Sequence, residues 1–574
     1  MKKVTKLLTL LLTISMLFGI VGCAGNTSST GGTYKAGTYT ATAKGNNGDV
    51  KVSVTFSGEK ITEVKLDEHR ETPGIGDTAF NTISAKIVEG QTLNVDTVSG
   101  ATNSSNAILE AVKNCVEQAG GDVNALMTQA NSEPTKTEQI KSEQTDILVI
   151  GAGAAGLTAS YFARTAGKNV ILLEKRAFTG GNSALAGKFD LGGSKFQEKM
   201  GVDFSAEDHY ESVAHEVGVE IGKTADEEYI RNFTSKGGAY LDWLVDEIKI
   251  PAGKVTNGKE IYSADGSGIK LTAEAMTMLT DAVKKIGVDL RLENAATKLV
   301  TKDGKVVGAE VKGPNGTYTI NASAIIMTSG GFAASKELLE KYAPTWAGTP
   351  TSNTSATTGD GIIMAQEVGA VLSNMESFTL NPTFYDNNGT TISVSGVRYN
   401  GGILVDTKGK RFANELGDYT KAALAELALP EKGAFGIMDS KGLGTKAEYC
   451  VQADTIEELA AKIGVDPKGL AETIAKYHDA YDKKAEDEFG REDMRSRLDT
   501  APYYAIKVFP GIHNTHGGIT VNTRAQALGT TGKPIPGLYA AGDVADVKLY
   551  GAEALTAAGV YGRIAAESAI TDIK

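Results

Sequence analysis

The chain has 574 residues, too many for one hydrophobic core, and a formal charge of −12 from 58 Lys and Arg against 70 Asp and Glu. At roughly 150 residues per domain it divides into three or four units. Aromatics are only 7% and no basic tract offsets the acidic balance, so no nucleic-acid partner is expected; the 67 glycines point to tight turns and close backbone approaches to ligands.

Lys2, Lys3 and Lys6 lead into the apolar run "LLTLLLTISMLFGIVGC". Its charged start and small-residue end mark a signal peptide over 1–23 rather than a spanning helix. "IVGC" resembles the lipobox of bacterial lipoproteins. That resemblance implies acylation of Cys23 and a location at the cell membrane, lipid-anchored on its extracytoplasmic face; a plain secreted protein is the alternative. Residues 24–33 read as a flexible Gly/Ser/Thr tether. Only Cys115 and Cys450 remain, too few for a disulfide framework, a CxxCH haem or an iron–sulfur cluster. Any electron carrier must then be organic, and no metal site is expected.

Over 34–122, alternation in "TYTATAKG" and "DVKVSVTFSG" followed by the helical "NAILEAVKNCVEQAG" predicts a small α+β unit. Residues 123–144 lose apolar periodicity and read as a linker. Order restarts at "TDILVIGAGAAGLTASYFARTAGKNVILLEKR", a strand, glycine turn, helix and strand. Gly151, Gly153 and Gly156 follow the first strand, and Glu174 closes the second about twenty residues on. Two of these glycines let backbone N–H groups approach a pyrophosphate at a helix N-terminus, the third lets helix and strand pack closely, and Glu174 is placed for ribose hydroxyls.

"PIPGLYAAGDVA" at 534–545 resembles the strand and turn of FAD-dependent enzymes, whose acid, here Asp543, holds the ribityl chain. The helix that follows would aim its N-terminus at the isoalloxazine, where partial positive charge favours an anionic reduced flavin. More broadly, residues 145–574 resemble the flavoprotein subunit of the fumarate reductase and succinate dehydrogenase superfamily, in particular the soluble flavocytochrome c type and its urocanate reductase relatives. The motifs are "VIGAGAAGLTAS", "GGNSALAG", "GGILVDTKGKRFANE", "IKVFPGIHNTHGGI" and "GLYAAGD". The fold implied is α/β: a Rossmann-like FAD-binding domain in two parts, 145–254 and 386–574, around an inserted α+β capping domain at 255–385. The resemblance also implies non-covalent FAD, held by Gly151, Gly153, Ala155, Gly156, Glu174, Lys175, Gly181, Asn182, Ser183, Gly187, Asp360, Gly542 and Asp543.

In that family a hydride passes from flavin to one carbon of an activated C=C bond, a side chain protonates its neighbour, and cations grip a substrate carboxylate. One scaffold hosts several substrates. His513 matches the substrate-orienting histidine, whereas His516 stands where the family has an apolar residue. The column of the proton-donating arginine falls on Tyr419. The Thr-Glu pair before "VRYNGGILV" becomes Val394 and Ser395, although Arg398 remains, and "HPT" becomes "NPT" with Asn381. The C-terminal carboxylate-clamping arginine has no match in "ADVKLYGAEALTAAG".

A tyrosine with a pKa near 10 can donate a proton when a cation such as Arg398 stands beside its phenolate. Tyr550, before Gly551, resembles the enone site of ketosteroid dehydrogenases, and Lys548 is a candidate carboxylate anchor. Packing roles for both tyrosines stay open. The implied substrate is a small unsaturated molecule with one carboxylate, urocanate-like or cinnamate-like, or an enone, rather than fumarate.

Residues 34–122 in turn resemble the FMN-binding domain of sodium-pumping and related membrane redox complexes. "ETPGIGD" at 71–77 and the pattern Asp-x-x-Ser-Gly-Ala-Thr beginning at Asp96 carry the likeness. It implies FMN joined covalently through a phosphoester to Thr102 by a flavin transferase, with Asp96 assisting that enzyme. An N-cap role for Ser104 or Ser105 is the local alternative. The expected route runs from a membrane redox donor, quinol-linked or flavin-based, through FMN and FAD to the substrate. An electron-transfer flavoprotein for extracellular acceptors, and a dehydrogenase of the ketosteroid type, are the competing readings.

Overall fold

The computed structural model describes residues 33–128, 142–216, 226–546 and 553–573, apart from positions 73, 99, 388–389 and 444–446. Cys23, Lys548, Tyr550 and Gly551 lie outside the described residues. Among the described residues no helix is long and apolar enough to cross a membrane, and Cys115 and Cys450 are both free thiols.

Strands β1 (Gly37–Lys44), β2 (Asp49–Phe56) and β3 (Ile61–Glu68) form an antiparallel sheet in that order. Along β2 every second side chain, Val50, Val52, Val54 and Phe56, is buried, as period-two patterning over one covered face requires. Helices α1 (Gly76–Gly90) and α2 (Thr102–Gln118) cover that face with Ile83, Ile87, Ile108, Val112 and Cys115. Phe178, from the next unit, completes this core and is itself buried. The short α3 (Val123–Thr128) adds Leu126, whose carbonyl accepts from the Leu93 N–H and the Thr92 hydroxyl. Residues 123–128 therefore belong to this unit rather than to the linker. Residues 143 and 144 already open β4 (Glu143–Ile150). One buried leucine in six residues leaves no periodicity to read.

In the second unit β4 pairs in parallel with β5 (Val170–Leu173), and α4 (Ala154–Thr165) connects them. The sheet runs 295–302, 305–313, 316–327, β4, β5, 289–291, and strand Pro534–Ala540 joins parallel to Gly316–Met327. The C-terminal helix Glu553–Asp572 packs on α4 so closely that a Cβ on Gly562 would lie 2.3 Å from the Ala155 carbonyl oxygen.

This pairing corrects the expected boundaries. Residues 289–327, assigned by sequence to an inserted domain at 255–385, run in the dinucleotide sheet. The inserted domain is instead built on a second sheet from strands between Phe378 and Thr515, ordered 390–393, 378–387, 503–515, 434–438, 403–405, with 451–453 beside 503–515. It has its own core around Ile403, Ile437, Leu459, Leu470 and Tyr477. Strand periodicity reveals a buried face but not which strand is the neighbour, so a β-rich insertion and a β-rich extension read alike.

Candidate functional site

One cavity of about 1740 Å³ runs from the start of α2, past the glycine turn after β4, to the sheet of the inserted domain. Its middle is framed by a glycine-rich backbone turn. Gly151 has φ +108°, and a Cβ there would stand 2.4 Å from the Thr328 carbonyl oxygen. At Gly156 a Cβ would be 1.8 Å from the Gly151 carbonyl oxygen, so only glycine lets α4 start this close to the turn. Glu174, 7% exposed, accepts hydrogen bonds from the N–H groups of Ala152 and Arg176, both at 3.0 Å.

Opposite, Ser183 Oγ accepts from the Ala154 N–H at 3.1 Å and Asn182 Oδ1 from the Thr354 N–H at 2.9 Å. Lys175 Nζ reaches Asp360 at 2.8 Å and the Thr358 hydroxyl at 2.7 Å. On the far wall Gly542 turns with φ +74° and presents Asp543, whose carboxyl burial pushes up to about 6. Of the residues expected to hold FAD, all line this cavity except Gly156, which lies behind the turn and sets helix against strand. A backbone cradle without side chains at a helix N-terminus, with a carboxylate at each flank, fits a dinucleotide.

At the inserted-domain end the cavity is lined by Asn381, Ser393, Ser395, Arg398, His513 and Ser352. Arg398, 1% exposed, donates from Nη1 to the Glu415 carbonyl at 2.9 Å and lies near the Thr383 hydroxyl at 3.4 Å. His513 Nδ1 is 2.9 Å from Ser352 Oγ, and burial, with the Arg398 charge adding to it, pushes the imidazole down to about 4. The Asn381 amide donates to Ser395 at 3.1 Å and Ser393 at 3.3 Å, so two of the positions that depart from the family pattern, Asn381 and Ser395, share one polar wall, while a third, Val394, is buried in an apolar core away from the cavity.

His516 is elsewhere: it is buried, bonds Thr379 Oγ1 at 2.7 Å and does not line the cavity. Tyr419 opens helix Tyr419–Leu427, capped by Asp418, and the next residue, Thr420, accepts from the Leu380 N–H at 3.3 Å. The Tyr419 backbone therefore stands beside the strand that carries Asn381, and its side chain lies outside what the structure describes.

At the N-terminal end Thr102 is exposed, heads α2 and lines the cavity with Asn46, Asn47 and Glu71. No side chain caps α2, which corrects the N-cap reading of Ser104 and Ser105. Ser104 instead donates to the Glu71 carboxylate of the "ETPGIGD" loop, and Ser105 Oγ accepts from the Val98 N–H at 3.1 Å. Both serines tie down loops and leave Thr102 facing the cavity.

Residues 146–560 match the family model described as FAD binding domain. The chain belongs to the FAD binding domain family. Residues 45–117 match the model described as FMN-binding domain, so two flavin-binding domains follow one another in an FAD-dependent oxidoreductase. The urocanate reductase of Eggerthella lenta is 30% identical over 96% of both chains. The NADH:acrylate oxidoreductase of Vibrio harveyi is 31% identical over 93% of this chain, which spans 61% of that longer protein. Among solved structures, the open conformation of a flavocytochrome c3 fumarate reductase superposes with a TM-score of 0.65 at 32% identity, covering 75% of this chain and 79% of that one.

Within the FAD binding domain, sequence reasoning missed a buried charged cluster on the cavity wall. Lys188 pairs with Asp190 at 3.0 Å and with Glu260, and Lys259 pairs with Glu553 at 2.8 Å and with Glu216. Burial and the nearby Glu553 push the Asp190 carboxyl well above the carboxylate range. Also missed was the structural use of "GKRFANE": Arg411 and Arg491 both grip Glu415, with Asp487 alongside, all inside the inserted domain. Lys188 and Asp190, and Arg411 and Glu415, are near neighbours in the chain, but their other partners, Glu260, Lys259, Glu553, Asp487 and Arg491, come from distant segments that no sequence spacing links to them.

Proposed function

We propose that the protein is a terminal reductase of an activated carbon–carbon double bond, working on the extracytoplasmic face of the membrane from a lipid anchor at Cys23. Electrons enter through FMN carried on Thr102. The observation that carries the reading is the single cavity that joins Thr102, the dinucleotide cradle, and the pair Arg398 and His513. When bound, FAD supplies hydride to the substrate and FMN supplies the electrons that replace it.

The residues of the chain do the remaining work. Arg398, fixed by Glu415 and Thr383, holds a permanent positive charge in a water-poor wall where it stabilises negative charge developing on a carbonyl or carboxylate oxygen. His513 is neutral at pH 7, because its pKa lies near 4. With Ser352 donating to Nδ1, the proton sits on Nε2 and points a neutral donor at the substrate. Tyr419 heads the helix beside Asn381 and acts as proton donor.

Among the described residues Arg398 is the one arginine at this end of the cavity, which suits one carboxylate or one carbonyl better than the two carboxylates of fumarate. Urocanate-like and cinnamate-like acids, or enones, are the substrate class. The urocanate reductase matched over 96% of its length supports that choice.

The test uses full-length protein made with an active flavin transferase and assayed with a reduced dye against enoates and enones. Oxidation of the dye by at least one of them is expected, and Tyr419→Phe is expected to lower that rate by about 10²–10⁴, the usual worth of a positioned proton donor. Thr102→Val is expected to remove the FMN mass and to lose turnover from membrane donors far more than turnover from the dye. Dye oxidation by ferric chelates and by none of the enoates or enones would replace this reading with an electron-transfer role.

A further inference from the structure

The contact between the N-terminal unit and the FAD unit contains a buried guanidinium, Arg176, of which one nitrogen has no hydrogen-bond partner among the described residues. Arg176 is 4% exposed and lines the cavity. Its Nε stands 3.7 Å from Glu174 Oε1, and its guanidinium carbon sits 4.3 Å over the Phe178 ring. Glu174 already accepts from two backbone N–H groups, and among the described residues Arg176 Nη1 has no hydrogen-bond partner. Burial without a full partner also pushes the guanidinium's pKa down.

The orphaned nitrogen has a direction. A Cβ built on Gly100 would lie 2.9 Å from Arg176 Nη1, so Nη1 is aimed at Gly100, two residues before Thr102. Gly100 has φ +83°, a conformation that favours glycine, and any side chain there would fill the gap. Thr102 begins a helix of 17 residues with no side-chain cap, so its N-terminal N–H groups and partial positive charge face the same space.

We propose that Arg176 Nη1 and the N-terminus of α2 form a phosphate site, and that its ligand is the phosphodiester joining FMN to Thr102. The inference rests on the reading that Thr102 carries FMN. It adds that the modification completes the domain contact: a phosphodiester oxygen accepts a charge-assisted hydrogen bond from an arginine of the other unit. Arginine suits this role because it stays charged when buried and is weakly hydrated. The FAD pyrophosphate is the other source of the same chemistry, since a Cβ on Gly181 in the cradle would lie 3.9 Å from Arg176 Nη2.

The experiment compares wild type, Arg176→Gln and Arg176→Lys as full-length, FAD-loaded protein made with and without the flavin transferase. Intact mass, FAD per chain, Tm and the ³¹P resonance of the phosphodiester are recorded. Flavinylation is expected to raise Tm in the wild type. The glutamine variant is expected to lose most of that gain and to shift the ³¹P resonance while keeping its FAD, and the lysine variant to keep part of the gain. An equal gain in wild type and R176Q, with both flavins present, overturns the site. Loss of FAD from R176Q with the flavinylation gain intact also overturns it and hands the arginine to the pyrophosphate. If R176Q does not fold, R176K decides: a reduced gain supports the site and an undiminished one overturns it. A wild-type chain that never acquires the FMN mass defeats the underlying reading of Thr102, and intact mass separates that failure from the others.

Discussion

The two flanks of the cavity are made of different material. The cradle of the dinucleotide flank is mainly backbone from short contiguous stretches, the turn at 151–156 and residues 181–183, with the Glu174 carboxylate just past β5. The substrate flank is side chains gathered from afar, as in the contact of Ser352 with His513, 161 residues apart. Backbone geometry tolerates no substitution, because a Cβ in the wrong place meets a carbonyl. A side-chain wall can be exchanged one residue at a time over an unchanged sheet, which is how Asn381 and Ser395 share one polar surface where the family pattern has other residues. A cofactor common to many enzymes thus sits on the inflexible flank, and the selective chemistry on the adjustable one.

That contrast can be broken at its strongest point first. Gly156→Val places methyl groups where a bare Cβ would already be 1.8 Å from the Gly151 carbonyl oxygen. The expected result is protein without bound FAD, read from its flavin absorbance; a yellow, FAD-loaded variant would show that the turn has slack. Next, Arg398→Gln keeps the cavity's shape and removes one charge. Its turnover is expected to fall about 10²–10³, the usual worth of one aimed donor to a developing oxyanion, with FAD content retained. Equal loss of FAD would mean that the two flanks are not separable.

The smallest effect is a pH dependence that only one flank shows. Burial holds the Asp543 carboxyl neutral below about 6 in the FAD-free protein, and ribityl hydroxyls are better accepted by the ionised form. FAD affinity is therefore expected to be greatest above pH 6 and to weaken as pH falls, by about tenfold at pH 5. Asp543→Asn should flatten that profile in a fluorescence titration. His513, titrating near 4, should add no inflection of its own between pH 5 and 8 to turnover at saturating FAD.

How much was legible in the sequence follows the same division. Gly151, Gly156 and Glu174 were readable because their geometry is local and their spacing is set by one turn of chain. The FMN-binding unit that contains Thr102 was legible too, because the pattern from Asp96 to Thr102 is also contiguous in the chain. The salt-bridged cluster of Lys188, Asp190, Lys259 and Glu553 was not, because Lys188 and Asp190 meet Lys259 only where strands 189–190 and 260–263 pair, and Glu553 comes from the C-terminal helix. Arg176 was passed over beside Glu174: its meaning depends on a domain boundary that no periodicity marks. The boundaries of the inserted domain failed likewise, since strands 295–327 announce themselves as strands without naming a neighbour.

Phe178 gives the arrangement a practical side. Because this ring from the FAD unit sits inside the hydrophobic core of the N-terminal unit, the two halves are not beads that can be cut apart at 129–141. A truncated enzyme would present a bare aromatic to water and invite self-association. An N-terminal unit grafted onto another oxidoreductase would arrive with a hole in its core. Borrowing this FMN-binding unit for a new catalyst means carrying the plug along with the socket.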